Sequence, residues 1–336
     1  MMAEESQKSF ALSRRFSVAP MMAWTDRHAR YFLRLISQRA LLYTEMVPVN
    51  ALIYGDPERF LKFDQAEHPI ALQLGGSDPK QLARGSIIGE QWGYDEINLN
   101  VGCPSDRVSS GNFGACLMAE PQLVADCVSA ITEATRLPVS VKCRIGIDDM
   151  DTGAPLDSFV AGIIEAGCQA VVVHARKAWL KGLSPKENRD VPPLDYKRVH
   201  RLKSDFPDTE IIINGGITSI EDGLSHLPFV DGVMLGRAAY ENPYLLSTVD
   251  SSFFGQTTNV LSRLDVIERI IPYCEREISK GTPLHRMTRH ILGLFHGYPG
   301  ARRWRRHLST NAVKPGASAS LLYEALELMN IDRKAA

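Results

Sequence analysis

A (β/α)₈ barrel followed by a small bundle of helices is the fold this chain predicts, on three observations. Eight short apolar or β-branched runs recur between Phe16 and Leu235, helix-length stretches separate them, and after Pro243 the strand pattern stops and only helical periodicity remains. Parallel strands covered on both faces are hydrophobic nearly throughout, and eight strand and helix units within about 245 residues match the size of such a barrel. A doubly wound sheet uses fewer strands and opens on a glycine fingerprint, and no G-x-G-x-x-G follows the first run.

Taken in order, strands are expected at Phe16–Val18, Leu41–Thr44, Ile70–Leu74, Ile97–Leu99, Val139–Val141, Ala170–Val173, Ile211–Ile213 and Val233–Leu235. Helices fit between them at Pro79–Trp92, Gln122–Thr135, Leu156–Ala166, Leu194–Phe206 and Ser219–His226, the last opening on Ser219 and Asp222 at capping-box spacing. Four further helical segments follow near 260–279, 284–296, 300–311 and 318–330, with Gly281, Pro283, Gly297, Pro299, Pro315 and Gly316 as stops. In the first of them Leu264, Ile267, Ile271, Cys274 and Ile278 form one buried stripe. The expected division is a flexible tail over 1–15, a catalytic barrel over 16–250 and a helical domain over 251–336.

The 336 residues are 44% hydrophobic and 23% charged, with a net charge of -1 and a pI near 6.8. That balance excludes a protein that coats nucleic acid indiscriminately, so any RNA contact must come from local basic patches. Cys103, Cys116, Cys127, Cys143, Cys168 and Cys274 contain no C-x-x-C pair. Zinc-ribbon and iron-sulfur spacings are therefore missing, and reduced thiols with no metal are expected. The first fifteen residues are polar and charged, and no later run has the length of a membrane span, which points to a cytoplasmic protein.

The chemistry concentrates where barrels place it, at the C-terminal ends of the strands. The residues there are Met21, Glu45, Gln73, Asn100, Lys142, Arg144, His174, Asn214 and Arg237. Cys103 ends one such strand between Gly102, which allows unusual backbone angles, and Pro104, which fixes the next φ; the loop is stiff and its thiol is a candidate group for chemistry. Asn214-Gly215-Gly216 and Gly236-Arg237 follow the last two strands, where barrels commonly bind phosphate through backbone N–H groups.

Basic residues gather in two places. The stretch His174–Arg189 mixes Arg176, Lys177, Lys181, Lys186 and Arg189 with Trp179, a combination suited to a single-stranded loop of RNA. From Leu284 to Asn311 the chain carries Arg286, Arg289, Arg302, Arg303, Arg305 and Arg306 and not one acidic residue. Cations lie where a polyanion would be wanted, and Trp304 among them reads as a bundle-core residue.

These residues also carry a resemblance. Ala19-Pro20-Met21, Gln73-Leu74-Gly75-Gly76, Leu99-Asn100-Val101-Gly102-Cys103-Pro104, Lys142-Cys143-Arg144-Ile145-Gly146, His174-Ala175-Arg176, Asn214-Gly215-Gly216 and Gly236-Arg237 resemble the tRNA-dihydrouridine synthases. Met22–Arg27 and the stretch Gly182–Leu194 resemble the DusA subfamily in particular, and Cys143 departs from the threonine that close relatives often carry.

The resemblance implies an FMN enzyme, reduced by NADPH, that saturates the 5,6 double bond of a D-loop uridine in tRNA at positions 20 and 20a. It makes Cys103 the acid that protonates C5 after hydride reaches C6; such an acid must remain a thiol, so Cys103 is expected to lack cationic neighbours and a helix N-terminus. FMN would be held by Pro20, Met21, Met22, Gln73, Lys142, His174, Asn214, Gly215, Gly216, Gly236 and Arg237. The RNA would meet Asn100, Arg107, Arg176, Lys181, Lys186, Arg189, Arg302 and Arg305. Two other readings stand beside it. A dihydroorotate-dehydrogenase-like or ene-reductase-like barrel would leave the arginine-rich segment unexplained, and a catalytically silent RNA-binding barrel would not need the set of flavin-site residues.

Overall fold

The computed structural model describes residues 12–105, 111–256 and 260–329. Its strands are β1 (Phe16–Val18), β2 (Leu41–Tyr43), β3 (Val47–Pro48), β4 (Ile70–Gly75), β5 (Glu96–Val101), β6 (Val139–Arg144), β7 (Ala170–His174), β8 (Glu210–Asn214) and β9 (Gly232–Leu235). All pairings are parallel. β1 bonds to β2 on one side and to β9 on the other, β2 reaches β4, and β4 through β9 pair in sequence, so the sheet closes on itself. The two-residue β3 joins the C-terminal end of β4 and lies outside the eight that close the ring. The architecture is the (β/α)₈ barrel that the sequence predicts.

The crossover helices are Pro79–Trp92, Pro121–Ala134, Ala154–Glu165, Tyr196–Asp205 and Ile220–His226. Local chemistry sets their ends: the Asp78 side chain accepts the Gln81 N–H ahead of Pro79, and Gly93 closes that helix at φ +88°. At Ser219 half of the expected capping box forms. Its hydroxyl accepts the Asp222 N–H at 3.1 Å, but the Asp222 carboxylate takes the N–H of Thr218 instead of returning to Ser219. Another helix, Arg27–Ile36, was not expected although Ala29, Phe32, Leu33 and Ile36 recur at helical spacing, and it buries Arg30 and Arg34 beside that stripe. Arg30 pairs with Glu67 at 2.7 Å, and Arg34 donates to the carbonyls of Ala40, Glu67 and Pro69.

Inside the barrel the pleat presents alternate residues, and on β5 and β6 these are polar. Ile97, Leu99 and Val101 join the core packed under the helices, while Glu96, Asn98 and Asn100 bond to one another's neighbours across the interior. The expectation of strands hydrophobic nearly throughout fails here. Ile97–Leu99 is only the middle, and Val139–Val141 only the first half, of six-residue strands whose other faces carry Glu96, Asn98, Asn100, Ser140, Lys142 and Arg144. The rest of the interior is filled by Leu41, Tyr43, Ala71, Val172, Ile212 and Met234.

The tail expected over 1–15 needs correction at its end. Arg14 is buried beneath the barrel, its Nε 2.7 Å from Glu96 at the start of β5 and its Nη1 3.2 Å from Glu210 at the start of β8. Salt bridges to two strands hold it, and residues 1–11 lie outside the described residues. The expected boundary between 250 and 251 falls inside the helix Val249–Phe254, whose Phe253 packs edge-on against Phe16 of β1.

Beyond it come the helices Arg263–Ser279, His285–Ile291, Ala301–Asn311 and Ser320–Glu327. They dock on the start of Arg27–Ile36: Tyr273 stacks on Tyr31 with ring centroids 3.9 Å apart, Arg27 meets Glu277 at 2.5 Å, and Asp26 takes Arg289 at 2.5 Å and His290 at 3.0 Å. Trp304 is fully buried against Phe295, as its place in the bundle suggested. No described helix is long and apolar enough to cross a membrane.

Candidate active site

The C-terminal ends of the strands surround a cavity of about 500 Å³. Every residue expected to hold the cofactor lines it: Pro20, Met21 and Met22 after β1, Gln73 on β4, Lys142 on β6, His174 on β7, Asn214, Gly215 and Gly216 at the end of β8, and Gly236 and Arg237 after β9. Cys103, Asn100, Arg144 and Arg189 line it as well. Glu45 does not; its carboxylate turns to the N–H of Ala23, a residue held at φ +63° in the β1 loop. Trp24, Met46 and Thr218 complete the wall without having been singled out from the sequence. Trp24 is fixed by stacking on Tyr240, with centroids 4.5 Å apart, a pairing across the fold that carries no local signal.

The cysteine loop is pinned from below. Asn100 Oδ1 accepts the backbone N–H groups of Gly102 (3.1 Å) and Cys103 (3.0 Å), and the Cys103 carbonyl accepts the Ala115 N–H at 2.9 Å. Gly102 is not left-handed, contrary to the expectation of unusual angles. A Cβ there would meet the β6 backbone at Lys142 and Cys143 at an ordinary contact distance of 3.4 Å, so neither a positive φ nor a clash calls for glycine at this position. The Cys103 thiol donates to Ser105 Oγ at 3.5 Å. The expectation that it lacks cationic neighbours is overturned: Lys142, Arg144 and Arg189 all interact electrostatically with it. The strand register places Asn100 beside Lys142, which brings those cations to the same rim.

Charge in this cavity is one-sided. Lys142 is half-buried, and among the described residues its ammonium donates only to Asn214 Oδ1, at 3.0 Å. Burial, reinforced by Arg144, pulls it down to about 8. Arg144 donates to the carbonyls of Gly102, Lys177 and Asn188 and meets no carboxylate among the described residues; burial lowers it to about 10. Burial, then Arg144 and Lys142, hold His174 well below the usual histidine range, so its ring is neutral. His174 Nε2 is buried without a hydrogen-bond partner among the described residues.

Gly215 and Gly216, at φ +109° and +71°, bring backbone close to this wall. A Cβ on Gly215 would sit 2.5 Å from the His174 ring, and one on Gly216 would sit 2.5 Å from Leu194. Arg237 is not free at the rim: Asp190 holds it at 2.6 Å.

Of the residues expected to meet RNA, Arg189 lines the cavity, while Lys181 and Lys186 are exposed on the loop after β7. Arg176 turns inward and donates to the Pro192 carbonyl. Arg302 and Arg305 are exposed on Ala301–Asn311, without an ion-pair partner among the described residues. Arg289, counted among the basic residues of that region, is committed to Asp26. Arg107 lies outside the described residues. Asn100, expected to orient the base, lines the cavity but uses its amide on Gln73 and on the cysteine loop.

Comparison with known proteins gives a consistent result. Residues 17–330 match the family model described as dihydrouridine synthase. A tRNA-dihydrouridine(20/20a) synthase from Vibrio cholerae is 58% identical over 93% of this chain and 95% of its own length. Proteins of that name from Salmonella typhi and Escherichia coli K12 are each 56% identical, over 98% and 94% of this chain and 99% and 92% of theirs.

Proposed function

The chain belongs to the dihydrouridine synthase family, and on that premise we propose that it reduces uridines 20 and 20a in the D-loop of tRNA, using bound FMN and NADPH. It is an oxidoreductase acting on tRNA uridine. The observation that carries the finer reading is the cationic cavity itself. Among the described residues, a half-buried lysine ammonium with one neutral acceptor, a buried imidazole nitrogen with none, and two glycines that leave no room for a Cβ fit a flat, anionic, hydrogen-bonding cofactor with a phosphate.

When bound, FMN supplies hydride chemistry at C6 of the uracil, with NADPH as the source of electrons. The rest falls to this chain. Lys142 and His174 hold the pyrimidine edge of the flavin, Lys142 offsetting negative charge there, and Met21 packs against the ring. Gly215, Gly216 and Gly236 bring backbone to the phosphate, with Arg237 beside them. Cys103 gives its proton to C5, and the thiol is restored from solvent. A stacked uridine must be extruded to enter the cavity, so Arg189, Lys181, Lys186 and Arg176 on the β7 loop and Arg302 and Arg305 on the bundle hold the backbone around it. The cytoplasm, where tRNA is found, is the compartment this reading expects.

The purified protein is expected to show a flavin absorption band, and tRNA from cells lacking it to lose dihydrouridine at 20 and 20a. Unchanged modification at both positions overturns the proposal. Cys103→Ala is expected to keep FMN and its reduction by NADPH while tRNA reduction falls by about 100-fold or more. Full turnover by that variant excludes the thiol as the acid.

A further inference from the structure

The polar side chains inside the barrel form one unbroken hydrogen-bonded chain from its floor to the cysteine loop. At the floor, Glu96 accepts from Arg14 Nε at 2.7 Å, from the Tyr43 hydroxyl at 2.9 Å and from the Ser140 hydroxyl. Ser140 Oγ accepts from Asn98 Nδ2 at 2.7 Å, Asn98 Oδ1 from Gln73 Nε2 at 2.8 Å, and Gln73 Oε1 from Asn100 Nδ2 at 2.9 Å. Asn100 Oδ1 then accepts the N–H groups of Gly102 and Cys103. The amide-bearing links are nearly sealed, with Asn98 and Ser140 fully buried and Gln73 and Asn100 at 1% and 7% exposure.

Both ends of this chain have a fixed polarity. A carboxylate only accepts and a backbone N–H only donates, so Ser140 must point its proton down and Asn100 must point its oxygen up. With the ends fixed, each amide between them has one consistent orientation. We propose that Glu96 is a positioning residue for the reaction, which through Ser140, Asn98 and Gln73 orients the Asn100 amide and so holds the Cys103 loop at the cavity.

Reversing the bottom link would turn the Asn100 NH₂ toward two N–H donors and release the loop. Gln73 shares in this. Both ends of its amide are engaged within the chain, so the face it offers the cofactor is set from the floor rather than by the ligand. The link to catalysis rests on the function proposed above; the orientation of the loop does not.

Ser140→Ala cuts the chain while leaving Arg14, Tyr43 and Glu96 together; Glu96→Gln replaces the acceptor at its foot. Amide hydrogen exchange is expected to accelerate about tenfold at Gly102 and Cys103 in Ser140→Ala, the equivalent of one lost hydrogen bond, with Val172 and Ile212 unchanged. Its kcat for tRNA reduction is expected to fall by about tenfold with KM for tRNA within about twofold, since the loss is in alignment and not in binding.

Ser17→Ala is the control: Ser17 is buried and donates to the Val233 carbonyl outside the chain, and the two loop amides are expected to keep their rates. Unchanged exchange at Gly102 and Cys103 in Ser140→Ala, or equal acceleration at every amide, overturns the proposal whether or not Glu96→Gln folds. If the wild-type protein forms no dihydrouridine in tRNA, the proposed function fails while the exchange pattern still decides the relay.

Discussion

The two ends of this barrel bury charge in opposite ways. At the floor, Arg14 is 6% exposed and Glu96 not at all, and each is the other's partner, with Glu210 as a second anion. At the mouth, Arg144 is buried and Lys142 half-buried, and among the described residues both donate only to neutral oxygens. Asp190 at the rim is occupied by Arg237. Burying a charge costs several kcal/mol unless a partner offsets it. The floor is therefore ion-paired as folded, with Arg14 Nη2 alone left without a partner there among the described residues, whereas the cations of the mouth await an anion.

The largest expected effect tests the floor. Arg14→Met leaves Glu96 buried and unpaired, and urea denaturation of the ligand-free protein is expected to show a loss of about 3 to 5 kcal/mol. The matching change at the mouth has the opposite sign. Lys142→Met removes an uncompensated half-buried ammonium, so stability is expected to hold or rise by about 1 kcal/mol. Its FMN affinity, read by flavin fluorescence titration, falls by about 100-fold. Equal destabilisation by the two variants would erase the distinction between the ends.

A smaller effect sharpens the same contrast through pH. Lys142 drops from 10.5 to about 8 on folding, so between those values the unfolded chain binds a proton that the folded chain has released. Stability of the ligand-free protein therefore rises as pH increases through that window, and Lys142→Met removes this contribution. Affinity for an anion runs the other way, weakening by up to about tenfold per pH unit above about 8 as the ammonium is lost. Opposite slopes in denaturation and in FMN titration are expected; parallel slopes would mean that another group sets the charge of the cavity.

The mouth was legible in the sequence because barrels put chemistry at strand ends, so locating the strands located Gln73, Lys142, His174 and Asn214. The floor was not. Glu96, Asn98 and Ser140 alternate with Ile97, Leu99 and Val139, and weight given to the apolar residues hid a polar face of period two. The helix Arg27–Ile36 carries a readable stripe, Ala29, Phe32, Leu33 and Ile36, and only the burial of Arg30 and Arg34, whose partners lie outside the helix, is without a local signal. Contacts such as Asp26 with Arg289 and Trp24 with Tyr240 join residues more than two hundred positions apart, and nothing local announces them. Even the motif around Cys103 misled on detail: its glycine takes no left-handed conformation, and its thiol sits among cations.

The smallest effect is expected on the helix Ala301–Asn311, whose arginines are exposed and without an ion-pair partner among the described residues. Arg305 is exposed on the helix Ala301–Asn311, so its charge is solvated and its removal barely touches stability. If it meets a tRNA phosphate, Arg305→Ala lowers the slope of log affinity against log salt by roughly 0.7 to 0.9, the share of one released counterion. Arg289 supplies the comparison within the same region. Held by Asp26 at 2.5 Å, it is already neutralised by protein, so Arg289→Ala is expected to loosen the docking of the bundle while leaving the salt slope unchanged. An unchanged slope for Arg305→Ala would place that arginine off the RNA. A reduced slope for Arg289→Ala would mean that the Asp26 contact opens when tRNA binds, so that an ion pair is no sign of a cation withheld from the substrate.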